Sequence, residues 1–235
     1  MAFSQSPCLY MRIVAVIPAH NEGARIAAAI ADARQFVDHV VVVDDGSTDE
    51  TAVVAKSSGA IVLRHIINRG QGAAIQTGTD YAVKTLVADV IVHFDADGQM
   101  RGNEIPAMVA PIASGEADVV LGSRFLGKDA LNMPFVRKIM IRLGTLFTIL
   151  LSGIRVTDTH NGFRALSRKA AAEIRITLDG MAHASEILDL VKTRRLRYVE
   201  RPVTISYSMD TLHKGQSTVK AMMTAKEIIK KKIVG

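Results

Sequence analysis

The chain has 235 residues, a net charge of +6, a pI near 9.5 and 49 % apolar residues, which suits one large α/β domain with a proper core and excludes a disordered chain. Its single cysteine, Cys8, excludes an internal disulfide and fits a reducing compartment. The basic excess favours anionic partners, but with no Trp and only 5 % aromatics there is little to stack on bases, so no nucleic acid is expected among them.

Residues 1–10 read as a flexible leader with no secretory signal pattern. Met11 to Ile17 is a buried strand that Pro18 ends, and Pro18-Ala19-His20-Asn21-Glu22 is a polar turn into an Ala-rich helix from Glu22 to Phe36. Val40 to Val43 is a second buried strand, stopped by Asp44-Asp45-Gly46-Ser47-Thr48-Asp49. Ser47 or Thr48 is expected to cap the next helix, with Asp49 and Glu50 in its first turn. Ala60 to Arg64 is a third strand. Asn68-Arg69-Gly70-Gln71-Gly72 is a glycine loop that opens a helix from Ala73 to Thr85.

Val90 to Phe94 is apolar apart from His93 and runs straight into Asp95-Ala96-Asp97-Gly98-Gln99. Such a run reads as a strand buried on both faces, with the acids at the carboxyl edge of a parallel sheet, where open α/β folds bind ligands. Side chains at i and i+2 of an extended chain point to opposite faces, so Asp95 and Asp97 meet one ion only if the chain turns; Gly98 permits that turn. Two carboxylates and the Gln99 amide oxygen form a hard all-oxygen set suited to Mg²⁺ or Mn²⁺. The alternative is an acidic loop that caps the following helix. His93 reads as a satisfied core histidine.

Further along, Ile105 to Ser114 is a short helix and Val119 to Leu121 a strand, followed by Gly122-Ser123-Arg124-Phe125. Pro134 to Ser152 is a long apolar helix carrying Arg137, Lys138 and Arg142, too short and interrupted to span a bilayer, which takes ~20 apolar residues. Asp158 to Ala165 reads as a loop, and helices follow at Ser167 to Glu173 and Ala184 to Arg194. Tyr198 to Ser206 is a late strand. His213 to Ser217 is a polar loop before a basic C-terminal helix. That helix has an apolar side and a lysine side; it suits an anionic bilayer surface or simple packing on its own domain. The regular β–α alternation points to a mostly parallel sheet, on whose carboxyl edge Pro18–Glu22, Asp44–Asp49, Asp95–Gln99 and Gly122–Arg124 would converge.

These clusters, taken in order with Asn-x-Gly-x-Gly, resemble the family 2 glycosyltransferases over about residues 11–207. Gly122-Ser123-Arg124-Phe125, Gly162-Phe163-Arg164-Ala165 and Lys214-Gly215-Gln216-Ser217 are similar to the polyprenyl-phosphate branch of that family. The resemblance implies an α/β, GT-A nucleotide-diphospho-sugar fold: a domain over 11–210, then a basic loop and amphipathic helix over 211–235. It implies that Pro18, Ala19, Asn21, Glu22, Asp44, Asp45, Gly70, Gln71, Asp95, Ala96, Asp97 and Lys214 meet the nucleotide sugar. Asp95, Asp97 and Gln99 would hold Mg²⁺ or Mn²⁺; Arg124, Arg137 and Ser217 would meet an acceptor phosphate; Asp97, Arg124 and Asp158 would be catalytic. The chain departs from the pattern at Gln71, where lysine is frequent, at Met100-Arg101-Gly102, where His-Pro-Pro is common, and at His20, where Tyr or Phe is frequent.

The expected activity is inverting, metal-dependent hexose transfer from a nucleotide diphosphate sugar to a polyprenyl phosphate, at the cytoplasmic face of the membrane. The alternative acceptor is a saccharide or lipid-linked oligosaccharide hydroxyl. The expected partners are these two substrates, a membrane surface and a small integral membrane protein. Arg124 reads otherwise as a surface ion pair, Arg137 and Arg142 as solvating a helix, Asp158 as a loop acid and Glu186 as an exposed face residue.

Overall fold

The computed structural model describes residues 10–126, 145, 149, 153–159 and 161–206. The expected leader, the body of the 134–152 helix, the C-terminal loop and helix, and with them Arg137, Lys138, Arg142, His160, Lys214 and Ser217, lie outside the described residues.

Seven strands form one mixed sheet: β1 (Ile13–Ala19), β2 (His39–Asp44), β3 (Ile61–Arg64), β4 (Val90–His93), β5 (Val119–Ser123), β6 (Arg164–Ser167) and β7 (Tyr198–Pro202), in the order β3-β2-β1-β4-β6-β5-β7. β6 runs antiparallel to both of its neighbours, and every other pairing is parallel. The described helices are α1 (Ile26–Ala33), α2 (Thr51–Ser57), α3 (Gln71–Lys84), α4 (Ile105–Ala113), α5 (Arg168–Glu173) and α6 (His183–Thr193).

The unbroken apolar strands follow from burial on both faces. Ala15, Ile17, Val40, Val42, Val90, Val92, Val120 and Ala165 face one core, which α1 and α4 close. Val14, Val16, Val41, Val43, Ile91, Val119, Leu121 and Leu166 face the other, under α3, α5 and α6. In α1 the buried residues Ile26, Ala29, Ile30 and Ala33 form a stripe of helical spacing. Each fully buried isoleucine there contributes roughly 1.5–3 kcal/mol.

Several local expectations differ from the structure. Pro18 lies within β1, paired with Val43, rather than ending it. The Val16 carbonyl accepts from the Phe94 N–H at 3.0 Å, and Pro18, two residues on, faces the same side. Pairing with β4 has ended by then, at Val16 opposite His93, so the missing proline N–H costs no ladder bond. The first helix begins at Ile26 rather than Glu22, because Glu22 to Arg25 form a turn in which the Glu22 carbonyl accepts from the Arg25 and Ile26 N–H groups at 2.9 Å. The entry to α2 is held by Asp49, not by Ser47 or Thr48: Asp49 Oδ1 accepts from the Thr51 N–H at 3.0 Å. The segment from Gly162 to Ala165 is not all loop, since Arg164 begins β6.

Candidate active site

β5 shares the direction of β1, β2 and β4, so the four polar clusters leave the sheet at the same carboxyl edge. Two loops are latched together there. Asn21, at φ +55°, receives the Thr48 N–H on its Oδ1 at 3.0 Å and donates its own N–H to Ser47 Oγ at 2.9 Å. His20 Nδ1 donates to the Asp45 carbonyl at 2.9 Å. Ala19 closes the join by accepting from the Asp45 N–H at 2.8 Å.

The paired acids Asp44 and Asp45 point to different tasks. Asp44 is fully buried; its Oδ1 accepts from the Ser47 N–H at 3.0 Å, and its Oδ2 lies 3.1 Å from Arg64 Nε without hydrogen-bond alignment. Asp45 holds the glycine loop. Its Oδ1 accepts from the Arg69 N–H at 2.9 Å and from His65 Nδ1 at 2.7 Å, and its Oδ2 from the Gly70 N–H at 2.6 Å. Both Asp45 oxygens are therefore engaged within the protein, and its part in the site is to place Gly70 and Gln71. The glycine loop is itself covered: the Gly72 N–H donates to the Asp179 carbonyl at 2.7 Å, which takes up a helix N-terminal donor that a phosphate would otherwise meet.

Asp95 to Met100 form the turn that the two carboxylates require. The Asp95 N–H donates to Met100 Sδ at 3.3 Å, the Gln99 N–H to Asp97 Oδ1 at 3.0 Å, and Gly98 takes φ +75°. Asp95 Oδ1 accepts from Gln71 Nε2 at 3.0 Å, so the glycine-loop glutamine meets this carboxylate. A Cβ on Gly162 would stand 2.5 Å from Asp95 Oδ2, so a side chain there would displace this carboxylate. Phe94 and Phe163 meet edge to face, centroids 5.6 Å apart, and tie the acidic turn to the start of β6.

Burial first, then the neighbouring Asp97 carboxylate, pushes the Asp95 carboxyl up to about 7. Asp97 is raised too, by burial and by Glu22, against the opposing Gln99 N–H. Carboxylates that disfavour one another's charge, in an all-oxygen set, fit a hard divalent cation. Among the described residues no group of three His, Cys, Asp or Glu side chains gathers for a metal.

Beside the pair lies a run of buried charge. Arg124 Nε donates to Asp158 Oδ2 at 2.6 Å and the Arg124 N–H to the same oxygen at 3.2 Å, with both side chains almost wholly enclosed. Neither is a surface group. Ser123 Oγ and Thr157 Oγ1, 2.6 Å apart, join the same two loops, and Glu200 accepts from the Thr157 N–H at 2.8 Å. Arg164 was not singled out from the sequence as a site residue. It is 2 % exposed, stands between His93 and Leu121 in register, and its Nη1 has no hydrogen-bond partner. Burial draws its pKa down to about 10, against the carboxylates of Asp95 and Asp158. His93 shares its face of the sheet. Nε2 lies 3.0 Å from Thr79 Oγ1 while Nδ1 is unpartnered, so it is a half-satisfied histidine, and burial followed by Arg164 lowers it to about 3. The local signal for Arg164 was a lone cation among the apolar residues Phe163, Ala165 and Leu166.

Glu186 is buried rather than on an exposed face. It accepts from the Thr177 N–H at 2.9 Å, the Thr177 hydroxyl at 2.7 Å and the Leu178 N–H at 2.8 Å, and so holds the segment that covers the glycine loop.

The sheet order, with one antiparallel strand set among parallel ones, and the acidic turn at its carboxyl edge define a GT-A glycosyltransferase fold. Glucosyl-3-phosphoglycerate synthase from Mycobacterium tuberculosis, solved with Mn²⁺, uridine diphosphate and glucosyl-3-phosphoglycerate, superposes with a TM-score of 0.70 at 22 % identity, over 93 % of this chain and 77 % of that one. The model of the family "Glycosyl transferase family 2" matches residues 14–175, and the chain belongs to that family and is a glycosyltransferase. The UDP-N-acetylglucosamine–dolichyl-phosphate N-acetylglucosaminyltransferase of Methanococcus voltae is 31 % identical over 88 % of this chain and 90 % of its own length. The undecaprenyl-phosphate mannosyltransferase of Micrococcus luteus is 29 % identical over 83 % of each chain.

Proposed function

We propose that this glycosyltransferase moves a hexose from a nucleotide diphosphate sugar to a polyprenyl phosphate, with inversion, in a divalent-metal-dependent reaction at the cytoplasmic membrane face. The observation that carries this is the presence at one sheet edge of the Asp95–Asp97 pair and, beside it, the Arg124–Asp158 pair. The named relatives act on dolichyl or undecaprenyl phosphate, and the superposed synthase was solved with Mn²⁺ and a uridine nucleotide, which supports both substrates and the metal.

In this scheme Pro18, Ala19, Asn21 and Glu22 line the nucleotide pocket and Asp44 meets the base or ribose. Asp95, Asp97 and the Gln99 amide hold the cation, with Ala96 beside the diphosphate. When bound, the cation neutralises charge on the leaving nucleoside diphosphate. Arg124 faces the acceptor phosphate, with Arg137 and Ser217 assigned there, and Lys214 to the donor, by family resemblance. The phosphate needs no general base: with a second pKa of about 6 it is largely dianionic near neutral pH. The chain's task is then to hold two anions in line. Asp158 and Glu186, the two acids that a hydroxyl acceptor could use as a base, are engaged by Arg124 and by the 177–178 backbone, which favours the phosphate.

The test is a screen of radiolabelled UDP-, GDP- and dTDP-sugars with polyprenyl phosphate, with and without Mn²⁺. Label should enter the organic phase only with lipid and metal both present. Transfer undiminished after chelation would count against the metal, and label that stays aqueous with every donor would count against the lipid. None of the described helices is long and apolar enough to cross a membrane, and membrane contact is proposed as peripheral. Flotation with liposomes free of other proteins separates direct attachment from attachment through a small integral membrane protein.

A further inference from the structure

We infer that Glu104 is a positioning residue for the acidic turn: it clamps the segment that follows β7, and that segment holds Gln99 in place; this rests on the metal-dependent mechanism above. Glu104 stands just before α4 and is buried. Its Oε2 accepts from the Thr204 N–H at 2.9 Å and its Oε1 from the Thr204 hydroxyl at 2.9 Å. The clamped segment joins the two halves of the site. At one end the Val203 N–H donates to the Ser123 carbonyl at 3.0 Å, next to Arg124. At the other the Ser206 N–H donates to the Gln99 carbonyl at 3.0 Å. Val203 and Ile205 are buried in the core that also takes Phe94, Ala96 and Met100.

The acidic turn is closed on itself by two bonds, from the Asp95 N–H to Met100 Sδ and from the Gln99 N–H to Asp97 Oδ1. These set its shape, whereas the Ser206 N–H ties it to a separate part of the chain. Gln99 is where the two kinds of bond meet: its N–H goes to Asp97 and its carbonyl accepts from Ser206. A shift of Ser206 therefore passes through one residue to the Asp97 carboxylate and to the Gln99 amide, both assigned to the cation. Thr204 lies two residues before Ser206, so releasing Thr204 from Glu104 loosens Ser206 as well. Outer partners of metal ligands typically govern affinity by about 10–100-fold, and Glu104 acts through a short relay, at the low end of that range.

The experiment titrates the purified full chain with Mn²⁺ alone, reading free Mn²⁺ by electron paramagnetic resonance, for wild type, Glu104→Ala, Thr204→Val and Glu104→Gln. Melting curves fix a temperature at which all four are folded. Glu104→Ala removes both acceptors and should raise the Mn²⁺ dissociation constant about tenfold. Thr204→Val loses only the hydroxyl and should raise it less, about threefold. Glu104→Gln should stay within about twofold of wild type, because its amide oxygen can take the Thr204 N–H while its NH₂ donates to the hydroxyl. Amide exchange in the metal-free chain should quicken in the same order at Ser206 and over Gly98 to Met100, about tenfold in Glu104→Ala. A merely structural role would lower the number of Mn²⁺ sites through partial unfolding and leave their affinity alone. Wild-type affinity in Glu104→Ala, or Glu104→Gln as weak as Glu104→Ala, overturns the inference. Wild type that takes up no Mn²⁺ overturns instead the metal-dependent mechanism; the metal-free exchange still reads the tie, and exchange over Gly98 to Met100 that Glu104→Ala leaves unchanged overturns the inference by itself.

Discussion

Asp158 is where structure and chemistry make the sharpest joint demand. Its carboxylate is enclosed and takes both the Nε–H and the backbone N–H of Arg124. An exposed pair would contribute about 0–1 kcal/mol, but removing one partner of a buried pair costs about 3–5 kcal/mol because the other charge stays behind uncompensated. Asp158→Asn keeps one oxygen as acceptor, and a retained hydrogen bond returns about 1 kcal/mol. The expected loss is therefore about 3 kcal/mol, which in a chain of this size lowers Tm by roughly 6–12 °C. Urea unfolding followed by circular dichroism measures it, with Arg124→Gln and the double variant completing a cycle. The two sites should couple by more than about 1 kcal/mol. Transfer should fall in the Asn variant but persist, with no new pH dependence, because Asp158 positions a cation and takes no proton. A loss of less than about 0.5 kcal/mol would refute the energetic argument. Complete loss of transfer with donor and acceptor binding intact would refute the chemical one and favour a hydroxyl acceptor.

Asp97→Asn should abolish transfer and Mn²⁺ dependence with the fold intact, as circular dichroism beside the activity assay would show; near-normal turnover would exclude the assigned role. Glu186→Gln should weaken the hold on Thr177 and Leu178, cost roughly 1–2 kcal/mol and speed amide exchange at Gly72 and over 177–180 while part of the activity remains; unchanged exchange would contradict this. Asp118 is held below its ordinary 3.8 chiefly by hydrogen bonds from the Arg197 side chain. A depressed carboxyl stabilises the fold above its unfolded pKa and loses that contribution as pH falls through 3.8 towards the lower folded value. The stability gap between wild type and Asp118→Asn, from urea midpoints at pH 7, 5, 4 and 3, should therefore narrow below about pH 4; a gap that widens on acidification would have the wrong sign.

The central strands and the acidic turn were legible because their signals are local. Val40 to Val43 or Val90 to Val92 can hardly be anything but strand buried on both faces, and Asp95-Ala96-Asp97-Gly98 carries its own turn residue. What stayed hidden depends on partners far along the chain. β6 is four residues long, opens on a charge and pairs with strands that end 71 and 41 residues earlier, so its motif read as loop. The two oxygens of Asp45 look like ligand-facing acceptors until the Arg69 and Gly70 N–H groups are seen to occupy them. Glu186 on an amphipathic helix looks exposed until the 177–178 backbone folds onto it. Asp158 and Arg124, 34 residues apart, were each singled out, but nothing in their spacing announced that they pair.

The most direct measurement compares polyprenyl phosphate with the corresponding polyprenol as acceptor, using the donor that the screen selects, and reads the anomeric linkage of the product by NMR. An α-linked donor should yield a β-linked lipid phosphate from the phosphate acceptor and no product from the alcohol. Comparable transfer to the alcohol, or an α-linked product, would contradict direct attack by an acceptor phosphate.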